Sequence, residues 1–329
     1  MIVFRLNAGP QVGFGHLMRC RSLAYALREQ GHSCVMVGPD QAYAKKEDKD
    51  LFDAWLPQAW SNEIDDATRL SALAAEFDAK MFVLDDYRVD EQYQLLLRSK
   101  GLKWLQFEAR TSQPIWADIV LNASPGARAE DYAPVLRNPE TRLLLGPKYA
   151  VLRPEFSNVT PRNPERPVKK VLVTFGGGDD RGAIRYVLSA LLPVTTPDIN
   201  FLVISGKHNP RNAANQEWIE AYGKGRVEFI VDPQEIAPLM IDADLAIMAG
   251  GTSTYEAVCC GLPMIMITIA GNQERQAQGW EYEGVGKYAG KYGELELRLL
   301  KKLLWRMARD QYLLSGMREK THLLVDGFG

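Results

Sequence analysis

Short apolar runs alternate with longer amphipathic stretches along almost the whole chain, and this alternation leaves few folds open. A run of that length can cross a sheet, and the amphipathic stretch behind it can return the chain to the same edge. Repeated βα units around a parallel sheet are the natural product. In the first half the runs fall at residues 2–6, 34–37, 81–84, 103–107 and 118–121. Behind the first of them, residues 16–30 place Leu17, Leu23, Ala24 and Leu27 on one helical face, and Gly31 ends that helix.

The alternation breaks once. Between Arg153 and Pro167 four prolines stand among polar residues with no periodicity, which reads as a linker. A second series then begins, with runs at residues 170–175, 201–205, 227–231, 244–248 and 264–269, followed by closing helices at 295–307 and from Gln311 onward. The expected organisation is an N-terminal Rossmann-like domain at 1–155, a linker at 156–168, and a C-terminal Rossmann-like domain with closing helices at 169–329. The fold class is α/β, with two such domains facing each other across a cleft. A chain of 329 residues with 46% apolar and 24% charged residues is well able to bury two cores.

Composition also excludes partners. A net charge of −2 carries no electrostatic footprint for nucleic acid or an anionic membrane. The first six residues lack the basic and long apolar regions of a signal peptide, and no apolar stretch reaches the roughly 20 residues of a membrane helix. Cys20, Cys34, Cys259 and Cys260 show no metal-ligand or CxxC spacing and read as reduced thiols. A cytoplasmic monomer without metal, cofactor or membrane insertion is expected.

The residues that carry chemistry stand where strands end. In the second half, the run at 244–248 leads into Ala249-Gly250-Gly251-Thr252-Ser253-Thr254-Tyr255-Glu256. Glycines there let the backbone approach a ligand, and the following helix start turns free N–H groups toward it, which suits a diphosphate. Glu256, one turn on, could accept both hydroxyls of a ribose. The same residues also fit an ordinary strand-to-helix turn capped by Thr252. A second glycine turn, Phe175-Gly176-Gly177-Gly178, follows the first strand of the same half. Asn272 and Gln273 follow the last. Neither GxGxxG nor the P-loop lysine is present, which disfavours a dinucleotide oxidoreductase.

In the first half a glycine-rich loop from Gly9 through Pro10, Gln11, Gly13 and Gly15 delivers His16 to the first turn of a helix. The positive end of the helix dipole disfavours imidazolium there, leaving His16 as a neutral general base. A lone histidine at a helix start is as readily structural. Arg19 reaches a phosphate or pairs on the helix surface. Asp85-Asp86-Tyr87 ends another strand at the same edge, and one of the two aspartates reads as a helix cap.

In this order the segments resemble the UDP-sugar hydrolases of pseudaminic acid biosynthesis, which cleave UDP-2,4-diacetamido-2,4,6-trideoxy-β-L-altropyranose. These are GT-B-fold proteins related to the peptidoglycan N-acetylglucosaminyltransferase. The matching pieces are Gly13-Phe14-Gly15-His16 with Met18-Arg19-Cys20, Asp85-Asp86-Tyr87, Leu121-Asn122, the string from Leu145 to Phe156, Phe175-Gly176-Gly177, residues 251–261, and Asn272-Gln273. The resemblance implies that His16 activates water for attack on the anomeric carbon, with Tyr87 beside it. It also implies that UDP is held around Glu256, Asn272 and Gln273. The substrate-binding set expected on both grounds is Gly13, Gly15, Arg19, Asp86, Gly176, Gly177, Gly251, Thr252, Ser253, Thr254, Glu256, Asn272 and Gln273.

Three positions depart from the family pattern. Asn7 replaces an acidic residue, Glu108-Ala109 replaces an Asp-Asp pair, and Asp86 replaces a histidine. All lie in the sugar-facing half. Hydrolysis with inversion is the expected reaction. A glycosyltransferase of the same fold, or a nucleotide-sugar-binding relative without catalysis, is the alternative.

Overall fold

The computed structural model describes residues 1–9, 12–160 and 163–328 and divides into two compact units, Met1–Pro154 and Glu155–Gly329. Unit 1 holds β1 (Ile2–Leu6), β2 (Cys34–Gly38), β3 (Ala54–Pro57), β4 (Met81–Asp85), β5 (Trp104–Phe107), β6 (Ile119–Asn122) and β7 (Arg142–Leu145). They form one parallel sheet in the order β3-β2-β1-β4-β5-β6-β7. Alternation along each strand decides which face each side chain meets. Val3, Val35 and Leu84 pack on Leu70 of the helix Glu63–Glu76 and on Tyr93 and Leu97 of the helix Glu91–Ser99. Phe4, Leu6, Met36 and Val83 pack on Leu17, Cys20 and Ala24 of the helix Gly15–Glu29.

Arg5 interrupts the apolar text of β1 and is nonetheless buried. Its Nε and Nη2 hold Asp66 at 2.9 and 2.7 Å, while the Tyr93 hydroxyl and Gln58 Nε2 donate to the same carboxylate at 2.9 and 2.8 Å. Such a pair is tolerable inside only because its remaining lone pairs are also satisfied. Gly38 is required beside it, since a Cβ there would lie 2.2 Å from Arg5 Nη1.

Unit 2 repeats the plan with β8 (Lys170–Thr174), β9 (Asn200–Ser205), β10 (Val227–Val231), β11 (Leu245–Met248), β12 (Met264–Thr268) and β13 (Gly286–Lys291). The parallel order is β10-β9-β8-β11-β12-β13. Its core joins Val171, Val173 and Val203 to Ile184, Val187 and Leu188 of the helix Ala183–Leu191, and to Leu300, Leu304 and Met307 of the helix Leu297–Arg309. The helix Gln311–Leu324 follows.

The proline-rich segment is bound along unit 2. Glu155 Oε2 accepts the N–H groups of Ile236 and Ala237 at 2.9 and 3.0 Å, and Phe156 is fully buried. Buried Arg318 donates to the carbonyls of Pro164, Arg166 and Asp244. Pro161 and Arg162, within the expected linker, lie outside the described residues.

The predicted strands are present with ends shifted by a residue. Three others were not anticipated: β3, β7 and β13. No helix among the described residues is long and apolar enough to cross a membrane.

Candidate functional site

In both sheets the strand order reverses at the centre, between β1 and β4 in unit 1 and between β8 and β11 in unit 2. Connections leaving those neighbouring strands diverge to opposite faces, so a crevice opens beyond their carboxyl ends, where open α/β sheets bind ligands. The sequence places its chemistry at these two points.

In unit 1, Leu6 at the end of β1 is paired in register with Asp85 at the end of β4. After β1, Gly9 and Gly13 bond to each other across the loop, and Gly13 has φ +91°. Pro10 and Gln11 lie outside the described residues. Gly15 begins the helix Gly15–Glu29, and His16 follows with 8% exposure. Its Nδ1 lies 2.6 Å from Asp85 Oδ1. Arg19, one turn on, grips the same carboxylate, with Nε 2.6 Å from Oδ2 and Nη2 donating to Oδ1. Arg19 is thus an internal partner of Asp85, with its guanidinium 4.4 Å from the Phe107 ring centre.

The electrostatics follow from that sharing. Burial alone would push the Asp85 carboxyl up, but Arg19 and His16 together hold it well below the usual carboxylate range. Asp85 therefore stays an anion and an acceptor. The Nδ1 of His16 must then carry the proton it presents to Asp85, and in the neutral ring Nε2 keeps its lone pair. The dipole of the helix start is accordingly not the sole influence on His16: a carboxylate faces the ring as well.

Tyr87 stands edge-on to His16 at 5.0 Å and is 38% exposed. Arg110 covers the Tyr87 ring at 4.7 Å and reaches back to Glu108 Oε1 at 3.2 Å. Buried Glu108 also accepts the Arg110 backbone N–H at 2.6 Å, and its carbonyl accepts the Tyr132 hydroxyl at 2.6 Å. Tyr132 in turn accepts from Asn122 Nδ2 at 2.8 Å. A continuous row of groups thus runs from Asp85 through His16, Tyr87 and Arg110 to Glu108. Asp86 is turned to Arg88, which holds it at 2.9 and 2.6 Å, with Arg5 Nη1 4.0 Å away.

In unit 2, Gly176 and Gly177 follow β8, and Gly251 and Thr252 follow β11. The two ends are joined where the Ala249 N–H donates to the Thr174 carbonyl at 3.1 Å. Gly177 packs backbone to backbone against Gly206 behind β9, where a Cβ would fall 2.4 Å from Gly177 Cα. Thr252 occupies the cap position of the helix Ser253–Cys259, yet its side chain makes no capping bond; its backbone is already helical, which turns the hydroxyl from the N–H groups it would cap.

Thr254 also differs from expectation. It is fully buried, and its hydroxyl donates to the Gly251 carbonyl at 2.7 Å while accepting from Gln276 and Trp280 at 2.7 and 2.8 Å. Its hydrogen-bonding capacity is spent inside, so Thr254 braces the turn and is not a ligand contact. Ser253 and Glu256 remain at the first turn, partly exposed. After β12, Asn272 is exposed, and Gln273 returns its Oε1 to the Ile269 N–H at 2.9 Å. Gly250 permits this closeness: a Cβ there would lie 2.8 Å from the Gln273 carbonyl oxygen.

Sequence reasoning singled out Asp85 and Asp86 together but placed only Asp86 in the binding set, and it missed Arg110 and Gln276. For Asp85 the signal was available, since a carboxylate closing a fully apolar strand is costly unless it is paired. Arg110 and Gln276 carried no comparable signal.

No family model matches the chain. Spore coat polysaccharide biosynthesis protein SpsG of Bacillus subtilis is 27% identical over 98% of this chain and 93% of its own. The UDP-2,4-diacetamido-2,4,6-trideoxy-beta-L-altropyranose hydrolase of Campylobacter jejuni is 23% identical over 86% of this chain and 98% of its own. Among solved structures, MurG of Acinetobacter baumannii matches with a TM-score of 0.67 at 14% identity, covering 99% of this chain and 96% of that one. The sequence likeness and the fold likeness each span most of the chain, and on them it is a relative of the UDP-2,4-diacetamido-2,4,6-trideoxy-beta-L-altropyranose hydrolase, built on the GT-B fold of two Rossmann-like domains.

Proposed function

We propose that the protein hydrolyses a UDP-linked sugar to UDP and free sugar with inversion at the anomeric carbon, unit 1 handling the sugar and unit 2 the nucleotide. The substrate class, by likeness to the Campylobacter hydrolase, is a UDP-linked diacetamido-trideoxy hexose. The observation that carries the reading is the 2.6 Å contact between His16 Nδ1 and Asp85 Oδ1. A histidine whose Nδ1 proton is committed to an anchored carboxylate offers Nε2 as base, the arrangement on which many hydrolases rely.

In the proposed step, Nε2 of His16 takes a proton from water as the water oxygen bonds to the anomeric carbon. The bond from that carbon to the diphosphate oxygen breaks, and its electrons leave with UDP. The developing charge on UDP falls to backbone N–H groups at Gly176-Gly177 and at Gly251 to Ser253, whose glycines allow close approach. Glu256, with Asn272 and Gln273, is proposed to hold the nucleoside. Tyr87, edge-on to the base, is proposed to border the sugar, and UDP is a good enough leaving group that no strong acid is needed.

The likeness to MurG favours a second reading, in which an acceptor hydroxyl replaces water before the same base. One experiment separates them. The purified protein is incubated with a panel of UDP-sugars in ¹⁸O-water, and UDP release is followed by NMR. Hydrolysis places ¹⁸O in the free sugar, whereas release only after adding an acceptor means transfer. His16→Ala should abolish turnover and spare UDP affinity; equal loss of both removes His16 as base.

A further inference from the structure

Unit 2 carries a second concavity whose residues take no part in the glycine turns. It is an open groove of about 450 Å³ lined by Arg181, Arg185, Arg211, Tyr186, Trp218 and Tyr292. That volume lies in the range of small-molecule sites. Three guanidinium groups around three aromatic rings in one cavity call for an anion that also carries a flat surface.

Each part is held in place. Arg211 is bonded to Asp179 Oδ1 at 3.0 Å, but Arg181 and Arg185 form no ion pair among the described residues. Arg181 adopts φ +55°, a conformation unfavourable for a residue with a Cβ, and its N–H is tied to Asp179 Oδ1 at 2.8 Å. Gly182, at φ +91°, lies close under Tyr292, where a Cβ would come within 3.2 Å of the phenol oxygen. Tyr186 is fixed by its bond to the Leu295 carbonyl at 2.6 Å and stands at right angles to Tyr292 at 5.5 Å.

A buried polar side chain lies on the neighbouring helix. Asn215 lies on the helix Asn212–Tyr222, four residues after Arg211 and three before Trp218, so the three share a helical face. Its side chain is fully buried, yet neither Nδ2 nor Oδ1 has a hydrogen-bond partner among the described residues. An orphaned amide is costly, but Asn215 does not itself line the groove, and the case for a ligand rests on the arginines and aromatic rings that do.

We propose that this cavity binds a phosphate-bearing small molecule with a flat ring. The phosphate meets Arg181 and Arg185, and the ring lies against Tyr292 and Trp218. None of the residues proposed to hold the nucleotide lines it, and it begins three residues beyond the Gly176-Gly177-Gly178 turn.

The test is calorimetric titration of the whole protein with adenosine monophosphate, inorganic pyrophosphate or adenosine, with UDP held at saturation to fill the proposed nucleotide site. Adenosine monophosphate is expected to bind more tightly than pyrophosphate, which offers charge alone, and adenosine only weakly. In the double variant Arg181→Ala/Arg185→Ala its affinity should fall at least tenfold, while UDP affinity and the thermal melt stay as in the parent. Absence of binding beside UDP, unchanged affinity in the double variant, or adenosine binding as tightly as its monophosphate overturns the site. Should UDP itself fail to bind, the nucleotide reading falls, while the same titrations without UDP still decide the cavity through the double variant.

Discussion

His16 and Asp85 stand 69 positions apart in the chain, and their side chains meet at 2.6 Å because β1 and β4 are adjacent and in register. Asp85→Asn keeps the shape but can present an N–H to Nδ1, reversing the imidazole tautomer. Turnover is expected to fall by about 10²- to 10⁴-fold, the scale seen when a base loses its orienting carboxylate. UDP affinity should change less than about threefold, because no atom of unit 2 is altered. Steady-state kinetics with UDP calorimetry checks this, and undiminished turnover would remove Asp85 from the mechanism.

The same carboxylate links acid stability to the site. Asp85 is held below its ordinary value in the folded state, and so is Asp66, where burial is outweighed by its bonds to Arg5. A depressed carboxyl contributes stability that is complete above the unfolded value, near 4, and is lost as pH falls through the folded one. Urea unfolding of the parent should therefore lose about 1–3 kcal/mol between pH 5 and pH 3. Asp85→Asn should start lower at pH 5 and lose less over that interval. Parallel curves for the two proteins would contradict the assignment.

Gly250→Ala tests how the turn after β11, proposed to hold the nucleotide, is built. The added Cβ would sit 2.8 Å from the Gln273 carbonyl oxygen, so backbone must move. A cost of about 1–3 kcal/mol is expected in thermal unfolding. UDP affinity should fall alongside, since the displaced segment carries Asn272 and Gln273. Unaltered UDP affinity would separate that segment from the nucleotide.

Arg318→Met removes the cation that three carbonyls share, including those of Pro164 and Arg166. Leaving such acceptors buried and unpaired costs about 2–4 kcal/mol. The loss should be accompanied by new protease cleavage near residues 157–168, detectable by mass spectrometry.

The strands legible in the sequence are mostly the buried ones, and β10, a partly exposed edge strand, was legible through its β-branched and aromatic residues. β1, β8 and β11 sit at the centres of their sheets; β11 reads as unbroken apolar text, and β1 and β8 are apolar apart from Arg5 in the one and the end residues Lys170 and Thr174 in the other. β3 and β7 are edge strands, only partly buried, and β3 ends in a proline. β13 holds two glycines in six residues and shifts register against β12 between Met266 and Ile267. Its text, Gly-Lys-Tyr-Ala-Gly-Lys, has neither β-branched residues nor apolar alternation to announce a strand. At the site, His16 and the glycine turns were legible because loops with glycine and histidine carry little structural explanation of their own. The cap reading of Thr252 failed because a hydroxyl before a helix resembles a cap whether or not its backbone lets it act as one. Asp86 was placed in the binding set in place of Asp85 because adjacent carboxylates cannot be told apart until strand pairing shows which one points inward.

Each sheet reverses its strand order within itself, so each unit has a complete crevice of its own. The residues that depart from the family pattern, Asn7, Asp86 and Glu108, all belong to the first sheet and its loops. A change in one crevice can therefore leave the other's framework in place, much as a tool keeps its handle when the bit is changed. Side chains at the ends of one sheet can vary without disturbing the strand ends that shape the other.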